Sequence, residues 1–437
     1  MAVMTAAEAT VQALPHILFV LAAVIVVGRA LGRILRPLHQ PPVIGEVLAG
    51  VLLGPSLLGS QLAERILPPE ATSALAVVAD LGVILFMFLV GLELDMVSLR
   101  RRARAAIAIS SAGIVVPFGL GAVLAVWLHP RLATGDVRLT TFALFLGVAM
   151  AITAFPVLAR ILTDHGLERT PLGVLALGVA AVGDVTAWCL LAVVVGLARA
   201  EVGSTLVVVG GAVAFVALML LVTRPLLAHL LDSASSRLSE GSVAAVFAAL
   251  FACALIADRI GIHAIFGAFL FGAVMPHDGP VARFFERRIR LTVTVFLLPA
   301  FFAYMGMRTR IDLLSGEAWA ICGLIVLVAT VGKLGGVYAG ARAVGVERRE
   351  AAALGSLMNA RGLMELIVLN IGLGMGVISP TLFSMLVVMA IATTMSAAPL
   401  LSLFLGDVAR RSMRSAVDGL VSPPPRSRQG LHPPGSG

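Results

Sequence analysis

LALGVAAVGDVTAWCLLAVVVGL, residues 175–197, carries a single charged side chain, Asp184, in 23 residues. No other acid occurs between Glu168 and Glu201. About 20 apolar residues in a helix cross the hydrocarbon core of a bilayer, so this stretch reads as a membrane span. Asp184 falls close to its middle. A carboxylate at that depth must find a partner or hold a proton. The stretch therefore sets the fold class and nominates a functional residue at once.

The rest of the chain agrees with a membrane reading. Of its 437 residues, 59% are hydrophobic and 13% charged, and the mean hydropathy is +1.03. A soluble domain carries about 25% charged residues. Spans of the same kind fall near 14–35, 42–60, 72–92, 105–128, 139–161, 171–198, 204–231, 240–258, 262–276, 290–307, 316–342, 350–374 and 379–406, about thirteen transmembrane helices in an all-α polytopic protein. The N-terminus is placed outside and the C-terminus in the cytoplasm. That arrangement puts 23 cationic residues in cytoplasmic regions against 7 outside, the bias that inner-membrane loops show. The net charge of +8 thus reports topology, with no nucleic-acid partner implied. The first apolar run lacks a basic lead and a small-residue cleavage site, so it reads as the first span.

Several chemistries find no support. Cys189, Cys253 and Cys322 lie in apolar segments without disulfide or zinc spacing. The 8 histidines form no metal motif. No nucleophile stands beside a base, and no phosphate-cradling loop occurs, so neither an enzyme nor a cofactor is expected. The transmembrane domain is drawn at 1–409. Residues 410–437 end in SPPPRSRQGLHPPGSG and read as a disordered cytoplasmic tail, which leaves no nucleotide-binding domain in the chain.

Two spans carry polar interruptions. TAFP, Thr153 to Pro156, breaks the fifth, and NARG, Asn359 to Gly362, breaks the twelfth. An offset of seven helices inverts one copy relative to the other. The expected architecture is an inverted repeat, roughly 14–198 and 240–406, joined by a linker helix at 204–231, with two broken crossing helices at the transport site.

Asp184 leads the candidates, because one carboxylate can hold a proton or a cation but not both. Competition at one group couples two fluxes. Lys333, the chain's only lysine, lies in LVATVGKLGGVYAG and is assigned as its charge partner. The glycines around it permit close helix approach. Thr153 and the carbonyl freed by Pro156 supply hard oxygen ligands for Na⁺ or K⁺. Arg361 and Glu365 are spaced to pair on one helix face and, with Asn359, to support the crossing. Glu46, Asp80, Glu93 and Asp95 are assigned to helix edges, in solvated or packing roles.

In order along the chain, QPPVIGEVLAGVLLGPSLLG (40–59), GVAMAITAFPVLARIL (147–162), GDVTAW (183–188), GIHAIFGAFLFGAVMP (261–276), LLPAFFAYMGMRT (297–309) and LGSLMNARGLMELIVLNIG (354–372) resemble the monovalent cation:proton antiporter-2 family. The plant-type cation/proton exchangers and the potassium efflux antiporters are the members most similar. The resemblance implies that Asp184 is the cation- and proton-binding aspartate. It places Thr153 and Asn359 to Glu365 in the unwound crossings and Lys333 in the core domain. It also implies a homodimer in which a core domain moves against a dimerisation domain. Gly183 departs from the pattern, since the family usually has Asn, Asp or Gln there. With one carboxylate at the site, exchange is expected to be electroneutral. Two rivals fit the same residues: an exporter of an organic cation or natural product, and a membrane sensor that keeps the fold without transport.

Overall fold

The computed structural model describes residues 6–35, 37, 40, 42–66, 68–92, 103–135, 137–167, 170–199, 205–233, 239–261, 263–276 and 279–421. Glu93, Asp95 and the final residues 422–437 lie outside them. The described residues are mostly helical, with no strand among them.

We label the membrane helices in chain order. They are α1 (Ala6–Leu35), α2 (Pro42–Leu53), α3 (Pro69–Leu92), α4 (Ala103–Leu132), α5 (Leu139–Ala151), α6 (Phe155–Asp164) and α7 (Pro171–Arg199). Next, α8 starts as Thr205–Leu218, passes through a π turn at Met219–Thr223 and ends as Arg224–Ser233. Then come α9 (Glu240–Ile260) and α10 (Ala264–Val274). Helix α11 begins at Pro280, contains π turns at Phe285–Ile289 and Val293–Leu297, and ends as Leu298–Arg308. The last four are α12 (Gly316–Ala343), α13 (Arg348–Met358), α14 (Leu363–Gly374) and α15 (Pro380–Val421).

Among the described residues, 9 helices are long and apolar enough to cross a membrane alone, or up to 10 if the bent pair α13–α14 is one span. The expected spans near 42–60, 139–161 and 262–276 correspond to shorter apolar helices, α2, α5 and α10. Residue 409 is not a helix end. The backbone continues as helix to Val421.

The helices sort into two bundles by their packing. Helices α1, α2, α3, α10 and α11 pack on one another, with α9 against α10. Helices α4, α5, α7, α12, α13 and α15 form the second bundle, with α6 packed on α7 and α14 on α15 and α5. Helix α8 touches α7 on one side and α9 and α10 on the other. We call the first bundle the scaffold and the second the core.

Small residues set the spacing in both bundles. A Cβ at Gly306 of α11 would strike the Val47 carbonyl and stand 2.7 Å from Val51 N on α2. In the core, a Cβ at Gly336 of α12 would come within 2.6 Å of the Ala112 carbonyl of α4, and one at Gly332 within 3.1 Å of Pro117 Cα. These two glycines flank Lys333, so the close approach expected around it is present. Asp80 is not at a helix edge. It sits midway along α3, exposed and within electrostatic reach of Arg308. Glu46 is buried, and a Cβ on Gly28 of α1 would meet its Cγ at 3.2 Å.

Candidate functional site

Both expected interruptions are breaks in the helix. α5 stops at Ala151, residues 152–154 are non-helical with Ile152 extended, and α6 begins at Phe155. α13 stops at Met358, and α14 restarts at Leu363 with a bend of 46°. Pro156 is the second residue of α6, where its missing N–H costs no helical hydrogen bond. The carbonyl such a bond would have reached, on Ile152, belongs to a residue lining the cavity beside Asp184.

The two breaks meet. The Ala154 N–H donates to the Ala360 carbonyl at 3.0 Å, and the Thr153 hydroxyl donates to the Met358 carbonyl at 3.1 Å. Helix ends in a membrane leave backbone groups that no water can satisfy, and here each crossing supplies partners for the other.

The C-terminal end of α5 would otherwise present bare carbonyls and the negative end of a helix dipole. Two cations close it. Arg361, in the second break, donates to the Ala149 carbonyl at 2.8 Å and the Met150 carbonyl at 2.7 Å. Lys333, from α12, donates to the Ala151 carbonyl and, at 3.0 Å, to the Gly113 carbonyl of α4. Glu365, in the first turn of α14, pairs with Arg361 at 3.1 Å, and neither side chain has any exposure. Asn359 turns away toward α15, donating to the Thr393 carbonyl at 3.4 Å and to Ser396 Oγ at 3.3 Å. The Arg361 backbone is held there too, its N–H donating to Thr394 Oγ1 at 2.8 Å.

Asp184 sits on α7 with 5% of its surface exposed. The backbone N–H of Phe155, at the start of α6, hydrogen-bonds its carboxylate. This sets the negative charge at the positive end of a half-helix. Its Oδ1 has no hydrogen-bond partner and Asp184 lines a narrow apolar cavity with Ile152, Trp188, Met364 and Val368. Lys333 acts on Asp184 electrostatically while spending its N–H donors on Gly113 and Ala151. Sequence spacing suggests a simple pair. The carbonyl end of α5 competes for the ammonium, and sequence spacing does not reveal that competitor. Gly183 faces α4, where a Cβ would stand 3.3 Å from Ser110 Oγ and near nothing else.

The structure thus brings Asp184, Thr153, Lys333, Arg361 and Glu365 to one crossing and turns Asn359 to its outer side. Ser110, buried with its hydroxyl unpartnered, and Trp188, buried with its indole Nε1 unpartnered, escaped sequence reasoning. Trp188 follows Asp184 by four residues and so shares its helix face, a spacing that could have flagged it.

Broken helices that meet beside a membrane-embedded carboxylate define a secondary transporter. The chain belongs to the sodium/hydrogen exchanger family: the profile described as sodium/hydrogen exchanger, transmembrane, matches residues 20–405. It is 42% identical over 395 residues to the Na⁺/H⁺ antiporter NhaS4 of Synechocystis sp., covering 88% of this chain and 96% of that one. It is 41% identical to cation/H⁺ antiporter 20 of Arabidopsis thaliana, covering 89% of this chain and 48% of the relative. It is 33% identical to K⁺/H⁺ antiporter 1 of Saccharomyces cerevisiae, covering 87% and 45% respectively. The chain therefore spans about half the length of the plant and yeast relatives. Its fold matches the sodium proton antiporter MjNhaP1 of Methanocaldococcus jannaschii with a TM-score of 0.66 at 14% identity, over 92% of this chain and 99% of that one.

Proposed function

We propose that this protein is a secondary active antiporter that exchanges Na⁺ or K⁺ for H⁺, with the two ions competing for Asp184. The observation that carries this reading is the placement of Asp184. It is buried, has one carboxylate oxygen unpartnered and lies at the N-terminal end of a half-helix beside a cavity. A proton on the free oxygen neutralises the group, and a dehydrated cation does the same. Thr153 Oγ1 keeps its lone pairs while its proton goes to Met358, and it serves as a further cation ligand. Arg361, Glu365, Asn359 and Pro156 hold the crossing. Lys333 holds the α5 terminus and biases Asp184 through space. The relatives named for Na⁺/H⁺, K⁺/H⁺ and cation/H⁺ antiport support the exchange but split over the cation. The narrow cavity suits a bare ion better than an organic amine.

The protein works in the inner membrane with thirteen crossings, N-terminus outside and C-terminus in the cytoplasm. Two copies form a homodimer, and the core bundle moves against the scaffold. The last residues form a cytoplasmic tail. A dye-reported ΔpH assay in everted vesicles tests the exchange. NaCl or KCl collapses the gradient with the native chain and fails to do so with Asp184→Asn expressed to the same level. Full collapse by Asp184→Asn would refute exchange at this carboxylate.

A further inference from the structure

The cavity beside Asp184 has a neighbour. A second narrow apolar cavity is lined by Val195, His263, Phe266 and Ile371, among others. The residues that line both are Trp188 and Leu191. Trp188 is therefore the bulkiest part of the wall between the Asp184 chamber and a cavity that reaches His263, at the N-terminus of α10. The tryptophan belongs to the core helix α7. Its ring stacks on Phe269 of the scaffold helix α10, with centroids 6.4 Å apart.

A buried tryptophan that only fills space normally gives its N–H to an acceptor. This one is 4% exposed, and its Nε1 has no partner. It is held by packing alone, at the seam between two bundles, four residues from the ion-binding carboxylate.

We infer that the Trp188 indole is the gate on the His263 side of the Asp184 chamber. It blocks the passage while it stacks on Phe269, and it opens the passage when the core helix carries it away from α10. This rests on the proposed exchange at Asp184, but its test reads access rather than transport, so the two can fail separately.

The test uses the full chain with Cys189, Cys253 and Cys322 replaced by Ser. Single reporters Met364→Cys, in the inner chamber, and Ile371→Cys, in the outer one, are treated with a membrane-impermeant cationic methanethiosulfonate. The reagent is added to right-side-out and to everted vesicles, so either face is sampled. Ile371→Cys is expected to react at one rate from the His263 face whatever occupies position 188. Met364→Cys should react slowly from that face with Trp188 or Trp188→Phe. With Trp188→Ala it should react at least about tenfold faster, since removing a gate raises the open fraction. Trp188→Val replaces Trp188→Ala if the latter does not reach the membrane. Equal Met364→Cys rates with Trp188 and with the small residue would overturn the gate.

Discussion

At the scale of single residues, competition at Asp184 has a signature beyond loss of function. If one carboxylate holds either H⁺ or the cation, each unit of acidification below its pKa raises the half-saturating cation concentration about tenfold, by linkage of the two equilibria. Initial rates of vesicle exchange, titrated with the cation at several pH values, should show KM moving while the maximal rate at saturating cation holds steady. A KM that ignores pH over the whole active range would place the proton on another group. Gly183 provides a second test. A Cβ there meets the Ser110 side chain at 3.3 Å and no other atom within 4 Å, so Gly183→Asp asks a hydroxyl rather than backbone to give way. A second carboxylate adds one charge to be neutralised per cycle. On a solid-supported membrane the native chain is expected to generate no current and Gly183→Asp to generate one. Identical traces would mean that position 183 does not set stoichiometry.

Much of this site was legible in the sequence, because a charge inside an apolar run is conspicuous. Asp184, Lys333, Arg361 and Glu365 were all visible on that ground. Their partners were not. Arg361 spends its donors on the carbonyls of Ala149 and Met150, more than 200 residues away, and Lys333 on those of Gly113 and Ala151. A backbone carbonyl has no letter in the sequence, so an ammonium that caps a helix end looks like one waiting for a carboxylate. Asp80 was misjudged for a related reason. The expected span, 72–92, already holds Asp80 near its middle, as does α3 (Pro69–Leu92), and assigning it to an edge rested on its charge alone.

At the scale of elements, the crossing is held by reciprocal closure of broken ends, and Arg361 is its most heavily used member. Arg361→Ala would strand the Ala149 and Met150 carbonyls and leave the Glu365 carboxylate buried without its cation. Removing one partner of a buried ion pair costs about 3–5 kcal/mol, and each orphaned carbonyl adds about 1–3 kcal/mol. We expect Arg361→Ala to lose most of its folded yield, with a markedly lower unfolding temperature in detergent. Arg361→Met combined with Glu365→Met should recover part of the loss, because it removes the stranded charge while the two carbonyls stay unpaired. A double variant no more stable than Arg361→Ala would mean that Glu365 contributes nothing to the penalty. The breaks themselves were readable from TAFP and NARG. Their contact, Ala154 N–H to the Ala360 carbonyl, joins residues 206 apart in the numbering, and neither motif carries it.

At the scale of the whole molecule, the division into scaffold and core gives the proposed motion a specific seam. Polar links across it are few among the described residues, and one is short. Arg308, ending scaffold helix α11, donates to Asn370 Oδ1 of core helix α14 at 2.6 Å. If the core slides along the scaffold during each cycle, this contact must break and reform. Tethering its two ends should then arrest transport without touching Asp184. In a chain lacking the native cysteines, Arg308→Cys and Asn370→Cys joined by a short bifunctional methanethiosulfonate should cut vesicle exchange by about tenfold or more. That is the loss expected when the moving population is held in one state, and reduction should restore the rate. Each single-cysteine chain should be indifferent to the reagent, which separates tethering from simple modification. Undiminished exchange in fully cross-linked protein would mean that the two bundles keep their register at this point throughout the cycle. Access to Asp184 would then have to alternate by local side-chain rearrangements, and Trp188 could not open by being carried away from α10.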